Sequence, residues 1–134
     1  MGAILSYLFT PFTDPLMLVA VAAGTCAGVY VGAIPGLTGT MAVSLLVSLT
    51  FGWNTHVALA AMIGVFCGAV YGGSRSAILL NIPGAPAAVA TVFDGYPLAQ
   101  KGKAGMAIGI TTTQSVVGGI IGVLVLAIFT PAVS

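Results

Sequence analysis

Charge is almost missing from this sequence. Of its 134 residues only 4% are charged, whereas 59% are hydrophobic. About a quarter of the residues in a soluble domain are charged, so this composition excludes an ordinary soluble domain. A formal net charge of +1 gives no basis for nucleic-acid binding. The sequence therefore predicts an integral membrane protein whose main surroundings are the lipid bilayer.

Side chains that carry chemistry are also scarce. The chain has one histidine and two cysteines. Cys26 and Cys67 fall inside apolar stretches, where we interpret them as small packing residues. His56 is interpreted as an interfacial or capping residue. Because no nucleophile with a base, no paired carboxylates and no metal-ligand spacing occur, we predict no enzyme activity, cofactor or metal.

Long apolar runs predict an all-α, multi-pass protein. The run from Leu16 to Ile34 has no charge and would form a helix about 28 Å long, enough to cross a bilayer core. Asp14 and Pro15 before it are typical of a helix start. The runs together predict three full spans, at about residues 16–34, 55–73 and 105–129.

The chain divides into two predicted regions. Residues 1–15 are apolar and aromatic but too short to span, so we expect an interfacial segment. Residues 16–134 form the transmembrane region.

Two rows of glycine recur at a spacing of four residues. Such a row gives a helix a smooth ridge on which another helix can approach closely. The two ridges either pack on each other or face another part of the protein. They comprise Gly24, Gly28 and Gly32 in the first span, and Gly64, Gly68 and Gly72 in the second.

Two stretches rich in glycine and proline interrupt the apolar runs. The first extends from Gly32 to Thr40 and the second from Tyr71 to Pro86. Glycine and proline leave backbone groups unpaired, and hydrocarbon offers them no partner, so these breaks should line a polar site rather than lipid. They predict two interrupted or re-entrant half-helix segments, at about residues 35–52 and 74–95.

Half-helix N-termini in broken membrane helices point their positive ends at anionic groups. We therefore expect free N–H groups near Gly36, Gly39, Gly73 and Gly84 to suit a carboxylate. The hydroxyls of Thr38, Thr40, Ser74 and Ser76 and the amide of Asn81 would assist them. The full set of candidate substrate-binding residues is Pro35, Gly36, Thr38, Gly39 and Thr40 in the first break, with Gly72, Gly73, Ser74, Arg75, Asn81, Pro83 and Gly84 in the second.

Arg75 has three interpretations that the residues leave open. Its guanidinium can bind a substrate carboxylate through two hydrogen bonds. It can also extend to the lipid headgroups, or neutralise a carboxylate elsewhere in the assembly.

Two further polar stretches follow. Residues 94–105 contain both lysines and are predicted to form an aqueous loop facing the cytoplasm. The belt from Thr111 to Ser115 indicates either hydrogen bonding between helices or a solvated pathway.

Seven short motifs follow one another along the chain. They are GAIPG (32–36), GTMA (39–42), LTFG (49–52), YGGS (71–74), AILLNIPG (77–84), DGYPLA (94–99) and KAG (103–105). In this order they resemble the large membrane subunit of the tripartite tricarboxylate transporter family. The resemblance runs from about Leu16 to the C-terminus.

This resemblance implies a bacterial inner-membrane importer of citrate-like or other carboxylates. It implies two partners, a small membrane subunit and a periplasmic solute-binding protein, and an ion gradient as energy source, with Na⁺ or H⁺ as coupling ion. Large subunits of the family are several times longer and contain two related halves. The chain therefore matches their N-terminal part, one half of an inverted repeat. A channel-type pore and a structural subunit without a substrate site are the alternative functions.

Overall fold

The computed structural model describes residues 14–133, with side chains as far as Thr130. Within this range the chain forms helices and no strand. In order, they are α1 (Pro15–Ala33), α2 (Gly39–Leu49), α3 (Thr55–Leu80), a 3₁₀ turn (Pro86–Ala88), α4 (Val89–Leu98), a π turn (Ala99–Lys103) and α5 (Ala104–Val133).

Three of the described helical segments are long and apolar enough to cross a membrane. They are α1, α3 and the stretch Pro86–Thr130 that contains α5. The predicted all-α membrane fold is therefore confirmed. Most of the predicted interfacial segment lies outside the described residues, and the division of the chain at residue 16 stays a prediction.

The first span begins and ends as the sequence predicts. The Asp14 carboxylate accepts a hydrogen bond from the Leu16 N–H at 3.0 Å, and Pro15 occupies the first turn. The helix ends at Ala33, and Ile34 is extended, with φ −86° and ψ 116°. Pro35 explains this end, because proline disfavours helical geometry in the residue before it.

The two glycine ridges pack directly against each other. A Cβ placed on Gly24 would lie 2.5 Å from the Ala61 carbonyl oxygen, and one on Gly64 would lie 2.6 Å from the Val21 carbonyl oxygen. Gly28 contacts Val65 in the same way. Because residue numbers rise together along both helices, α1 and α3 run parallel.

Because α1 and α3 are parallel, the segment between them, which contains α2, must run in the opposite direction. Gly39, at the start of α2, contacts Ala69 of α3, whereas Ser44 shares a cleft with Met62 and Ile63. Thus α2 runs antiparallel to α3 and, with the residues on either side of it, returns the chain to the level at which α1 begins. At 11 residues it is about 16 Å long, so the first interrupted segment is a half-helix.

The second break lies further along the chain than predicted. The expected interruption from Gly72 through Arg75 is wrong, because α3 continues without a break to Leu80. Gly72 is retained inside the helix since it contacts Val29 of α1 where no side chain fits. The helix ends instead at Asn81, whose φ of 60° is left-handed, with Pro83 two residues later.

After Asn81 the chain folds back toward α3. Gly84 contacts Gly73, and further on Gly95 of α4 contacts Ile78. The chain therefore dips back alongside α3 and then returns along α4, which is the predicted second half-helix segment. The segment at residues 94–105 is helical rather than a loop, except at Gly102, where φ is +76°. Its expected aqueous, cytoplasmic position stays a prediction.

The far half of α5 has no neighbour among residues 14–133. Nothing lies within 4 Å of a Cβ placed on Gly118, Gly119 or Gly122. Large apolar side chains such as Leu126 and Ile128 are exposed along the same stretch. Both cysteines are free and exposed as well, so the described residues do not pack around them, and their interpretation as packing residues stays a prediction.

Candidate functional site

The two breaks meet on one short stretch of α3. In the second break, Gly84 donates a hydrogen bond from its N–H to the Gly73 carbonyl at 3.4 Å and also contacts the Gly32 carbonyl at the end of α1. In the first break, a Cβ on Gly39 would lie 3.2 Å from the Ala69 Cβ. Ala69 and Gly73 are one helical turn apart, so the breaks are neighbours.

The first helix N-terminus at this place belongs to α2. Thr38 caps it by accepting a hydrogen bond from the Met41 N–H at 3.3 Å. The Thr38 and Thr40 hydroxyls also lie 2.9 Å apart. The N–H groups of Gly39 and Thr40 occupy the first turn, where a helix offers no acceptor.

The second helix N-terminus begins at Pro86 and leads through the 3₁₀ turn into α4. No side chain caps it. The Ala88 N–H donates to the Ala85 carbonyl and the Val89 N–H to the Pro86 carbonyl. The N–H groups of Ala85 and Ala87 have no acceptor among the described residues. Sequence reasoning missed both of them, although Pro86 is a typical first helical residue.

Two positive helix ends therefore lie close to the same part of α3. The first turns of α2 and of the segment from Pro86 contain no acidic side chain. Each end contributes unpaired N–H groups and the positive pole of its helix dipole, both of which attract an anion. The arrangement can hold a carboxylate through backbone groups without a catalytic residue.

Three hydrogen-bond donors that were expected to face a ligand are already bonded within the fold. The expected free N–H at Gly73 is wrong, since Gly73 lies inside α3. The expected free N–H at Gly84 is also wrong, because it donates to Gly73. The Ser76 hydroxyl donates to the Gly73 carbonyl at 3.0 Å, so it stabilises the fold rather than facing a ligand.

The remaining predicted substrate-binding residues lie either in the two breaks or on α3. Pro35 and Gly36 lie in the first break, where Gly36 has a φ of +95°, and Pro83 adjoins Gly84 in the second. Asn81 caps α3, and its side chain is exposed. Ser74, by contrast, lies about 100° around the helix from Gly73 and away from this meeting point.

Arg75 also points away from the breaks, toward α5. Its Nη2 donates to the Tyr71 hydroxyl at 2.6 Å, and its guanidinium carbon lies 4.3 Å from the centre of the Tyr71 ring. The Tyr71 hydroxyl in turn lies 2.7 Å from the Thr112 hydroxyl of α5, which donates to the Ile108 carbonyl. Sequence reasoning missed Tyr71 and Thr112 as a pair.

The polar belt of α5, from Thr111 to Ser115, takes part in one of these contacts. Thr112 joins α5 to α3, as the interpretation of hydrogen bonding between helices requires. Thr111 and Thr113 bond only to carbonyls of their own helix, and Gln114 is exposed.

Neither the groove between α1, α2 and α3 nor a cluster of metal-ligating side chains offers an alternative site among the described residues. A groove of about 510 Å³ between α1, α2 and α3 is lined by apolar side chains, with Asn54 at one end and no charged residue, so it does not suit an anion. Within residues 14–133 no three His, Cys, Asp or Glu side chains are grouped to hold a metal.

Comparison with known proteins gives two matches. The model of the family described as "Tripartite tricarboxylate transporter TctA family" matches residues 18–134. A protein of Agrobacterium vitis named "Uncharacterized 52.8 kDa protein in TAR-I ttuC' 3'region" is 36% identical over 127 residues. The alignment covers 95% of this chain but only 25% of that relative, so the chain spans about a quarter of the relative's length. No solved structure matches the chain.

Proposed function

This chain belongs to the tripartite tricarboxylate transporter TctA family, and we propose that it provides part of a carboxylate site in an ion-gradient-driven uptake system. The substrate is a citrate-like tricarboxylate or another carboxylate, and Na⁺ or H⁺ drives its entry. The partners are a small membrane subunit and a periplasmic solute-binding protein. The system resides in the bacterial inner membrane.

One observation carries this proposal: two half-helix N-termini converge on Ala69 and Gly73 of α3. Unpaired N–H groups of Gly39 and Ala87 are the donors that such ends offer to a carboxylate. A helix N-terminus carries roughly half a positive charge, so two ends together match about one carboxylate. Further carboxylates would need donors from the rest of the assembly.

We also propose an orientation for the chain. Because α5 contacts α3 at Tyr71 and then runs antiparallel to it, Lys101 and Lys103 lie toward the C-terminal end of α3. Arg75 lies near that end too, so all three basic residues of the chain share one side. The positive-inside rule makes this side cytoplasmic. The two breaks then lie nearer to the cytoplasm than to the periplasm.

The first test places leucine at one glycine that contacts its neighbours and at one that does not. In the assembled transporter, Gly84→Leu places a side chain against the Gly32 carbonyl, whereas Gly105→Leu meets open space in this chain. Overpacking of about 1–3 kcal/mol should lower uptake of labelled citrate about tenfold or more for Gly84→Leu. Gly105→Leu should keep normal uptake, and membrane insertion should be equal for both variants.

Polar variants give a second test that does not depend on packing. Thr40→Val removes a hydroxyl beside the α2 N-terminus, and Asn81→Ala removes the amide that follows α3. Thr113→Val is the matched control, since the Thr113 hydroxyl bonds only to its own helix. Normal uptake by both Thr40→Val and Asn81→Ala, with intact insertion, would remove these residues from the site.

The same preparations separate the alternative functions. A transporter shows saturable uptake that collapses with the ion gradient and requires the binding protein. A channel would instead give large unitary currents. A purely structural subunit would tolerate Thr40→Val and Asn81→Ala, which remove polar groups without overpacking, with no loss of uptake.

A further inference from the structure

Arg75 carries a charge that no carboxylate among the described residues neutralises. The sequence contains only two acidic residues, Asp14 and Asp94. Neither forms an ion pair with Arg75 in the structure of residues 14–133, where the Arg75 side-chain hydrogen bond goes to Tyr71. A positive charge on a membrane helix is costly without an anion or water beside it. Arg75 is therefore available to bind an anion supplied from beyond the described residues.

The guanidinium of Arg75 is held in a fixed position. The 2.6 Å hydrogen bond to the Tyr71 hydroxyl and the stacking at 4.3 Å on the Tyr71 ring both restrain it. Tyr71 is itself fixed by Thr112 of α5 at 2.7 Å. A guanidinium has five N–H donors, so four remain for an oxyanion. Since the side chain is already ordered, an anion binds it at a smaller entropic cost.

The depth of Arg75 identifies the source of that anion. Arg75 lies 20 residues after Thr55, or about 30 Å along α3, which is the thickness of a bilayer hydrocarbon core. Trp53 precedes α3 and is typical of one membrane interface. Arg75 therefore lies at the opposite interface, at the level of lipid phosphates. It is partly exposed there, on the α5 side of α3 and away from the two breaks.

We propose that Arg75, positioned by Tyr71, binds the phosphate of an anionic phospholipid where α3 and α5 meet. Lys101 and Lys103 lie toward the same end of the molecule and add attraction for an anionic leaflet. The proposal does not depend on the carboxylate site, because the breaks use other groups on another face of α3.

The test measures lipid binding by the full chain in the assembled transporter. Purified protein is titrated with phosphatidylglycerol, and with phosphatidylcholine as a zwitterionic comparison, and bound lipid is counted by native mass spectrometry. Arg75→Gln should weaken phosphatidylglycerol binding about tenfold or more, since it removes charge-assisted hydrogen bonds. Tyr71→Phe should weaken it about threefold by releasing the guanidinium. Lys103→Gln, the comparison at the same end, should weaken it by a smaller factor than Arg75→Gln, because Lys103 adds only general attraction for anionic lipid.

A citrate-binding measurement on the same variants distinguishes a lipid from a substrate carboxylate. The proposal requires that Arg75→Gln leaves citrate affinity unchanged. It is overturned if Arg75→Gln keeps phosphatidylglycerol binding within about twofold of the unmodified protein. It is equally overturned if Arg75→Gln lowers citrate affinity while lipid binding stays normal.

Arg75→Lys replaces Arg75→Gln if the latter does not insert. It retains the charge but loses the planar fork, so an affinity about threefold lower is expected, and an unchanged affinity overturns the proposal.

Discussion

The interface between α1 and α3 and the far half of α5 use the same kind of sequence in different surroundings. Gly24, Gly28 and Gly32 are buried against the backbone of α3, where no side chain fits. Gly118 and Gly122 have the same four-residue spacing, yet nothing described lies within 4 Å of either. Glycine spacing therefore predicts that a helix can approach a neighbour closely, but it does not identify the neighbour.

The contrast also shows which helices are packed by other described residues and which are not. The packed pair α1 and α3 supplies a rigid wall on which both breaks rest. In contrast, α5 is joined to α3 near Thr112 and then leaves it. The candidate site lies on the packed side of that junction.

The sharpest way to break this comparison is to add one methyl group to each region. Gly28→Ala should destabilise the protein by about 3 kcal/mol, because the new Cβ would meet the backbone of Val65 and Ala69, which cannot move independently of α3. Gly118→Ala in this chain should be neutral or stabilising by up to about 1 kcal/mol, since alanine favours a helix and the space is open. Unfolding in detergent by a mild denaturant measures both.

Equal destabilisation by Gly28→Ala and Gly118→Ala would show that the glycines of α1 and those of α5 do not differ in their packing. A stabilised Gly28→Ala would show that α1 and α3 are further apart than the structure has them.

Part of this arrangement was predictable from local chemistry. Asp14 and Pro15 set the start of α1 and Pro35 its end, because these residues act on their immediate neighbours. The end of α3 was misplaced since Gly72 and Gly73 normally weaken a helix. Only their contacts with α1 and with Gly84, distant in sequence, keep them helical. Residue patterns also gave no sign that Tyr71 would meet Thr112.

The second prediction concerns the place where the re-entrant segment rests on the packed pair. Gly84→Ala adds one methyl group against the Gly32 carbonyl and the Gly73 Cα, the latter at 2.8 Å. Citrate uptake should fall about fivefold or more, as expected from roughly 1 kcal/mol of overpacking. Gly109→Ala, in open space on α5, is the matched control. A Gly84→Ala protein with full uptake would show that this contact is not needed for transport.

The third prediction concerns the hydrogen bond between Tyr71 of α3 and Thr112 of α5. Tyr71→Phe removes the hydroxyl that links Arg75 to Thr112. A double-mutant cycle with Thr112→Val should give a coupling energy of about 0.6 kcal/mol and at most about 1.7 kcal/mol, the mean and the maximum measured for hydrogen bonds between membrane helices. Cycles of Tyr71→Phe with Thr113→Val should give none, since Thr113 bonds to its own helix. Equal coupling in both cycles would contradict a specific junction.

The smallest effect is expected at Gly102, where the chain leaves α4 and turns into α5. Its φ of +76° is left-handed, and an added Cβ would meet no atom within 4 Å. Gly102→Ala therefore costs only backbone strain, about 1 kcal/mol, and crowds no neighbour. Gly102→Asn should cost less, because asparagine tolerates this conformation better than alanine does. Denaturant unfolding of the two variants should rank asparagine above alanine, and the reverse order would mean that the turn opens by changing φ at this residue.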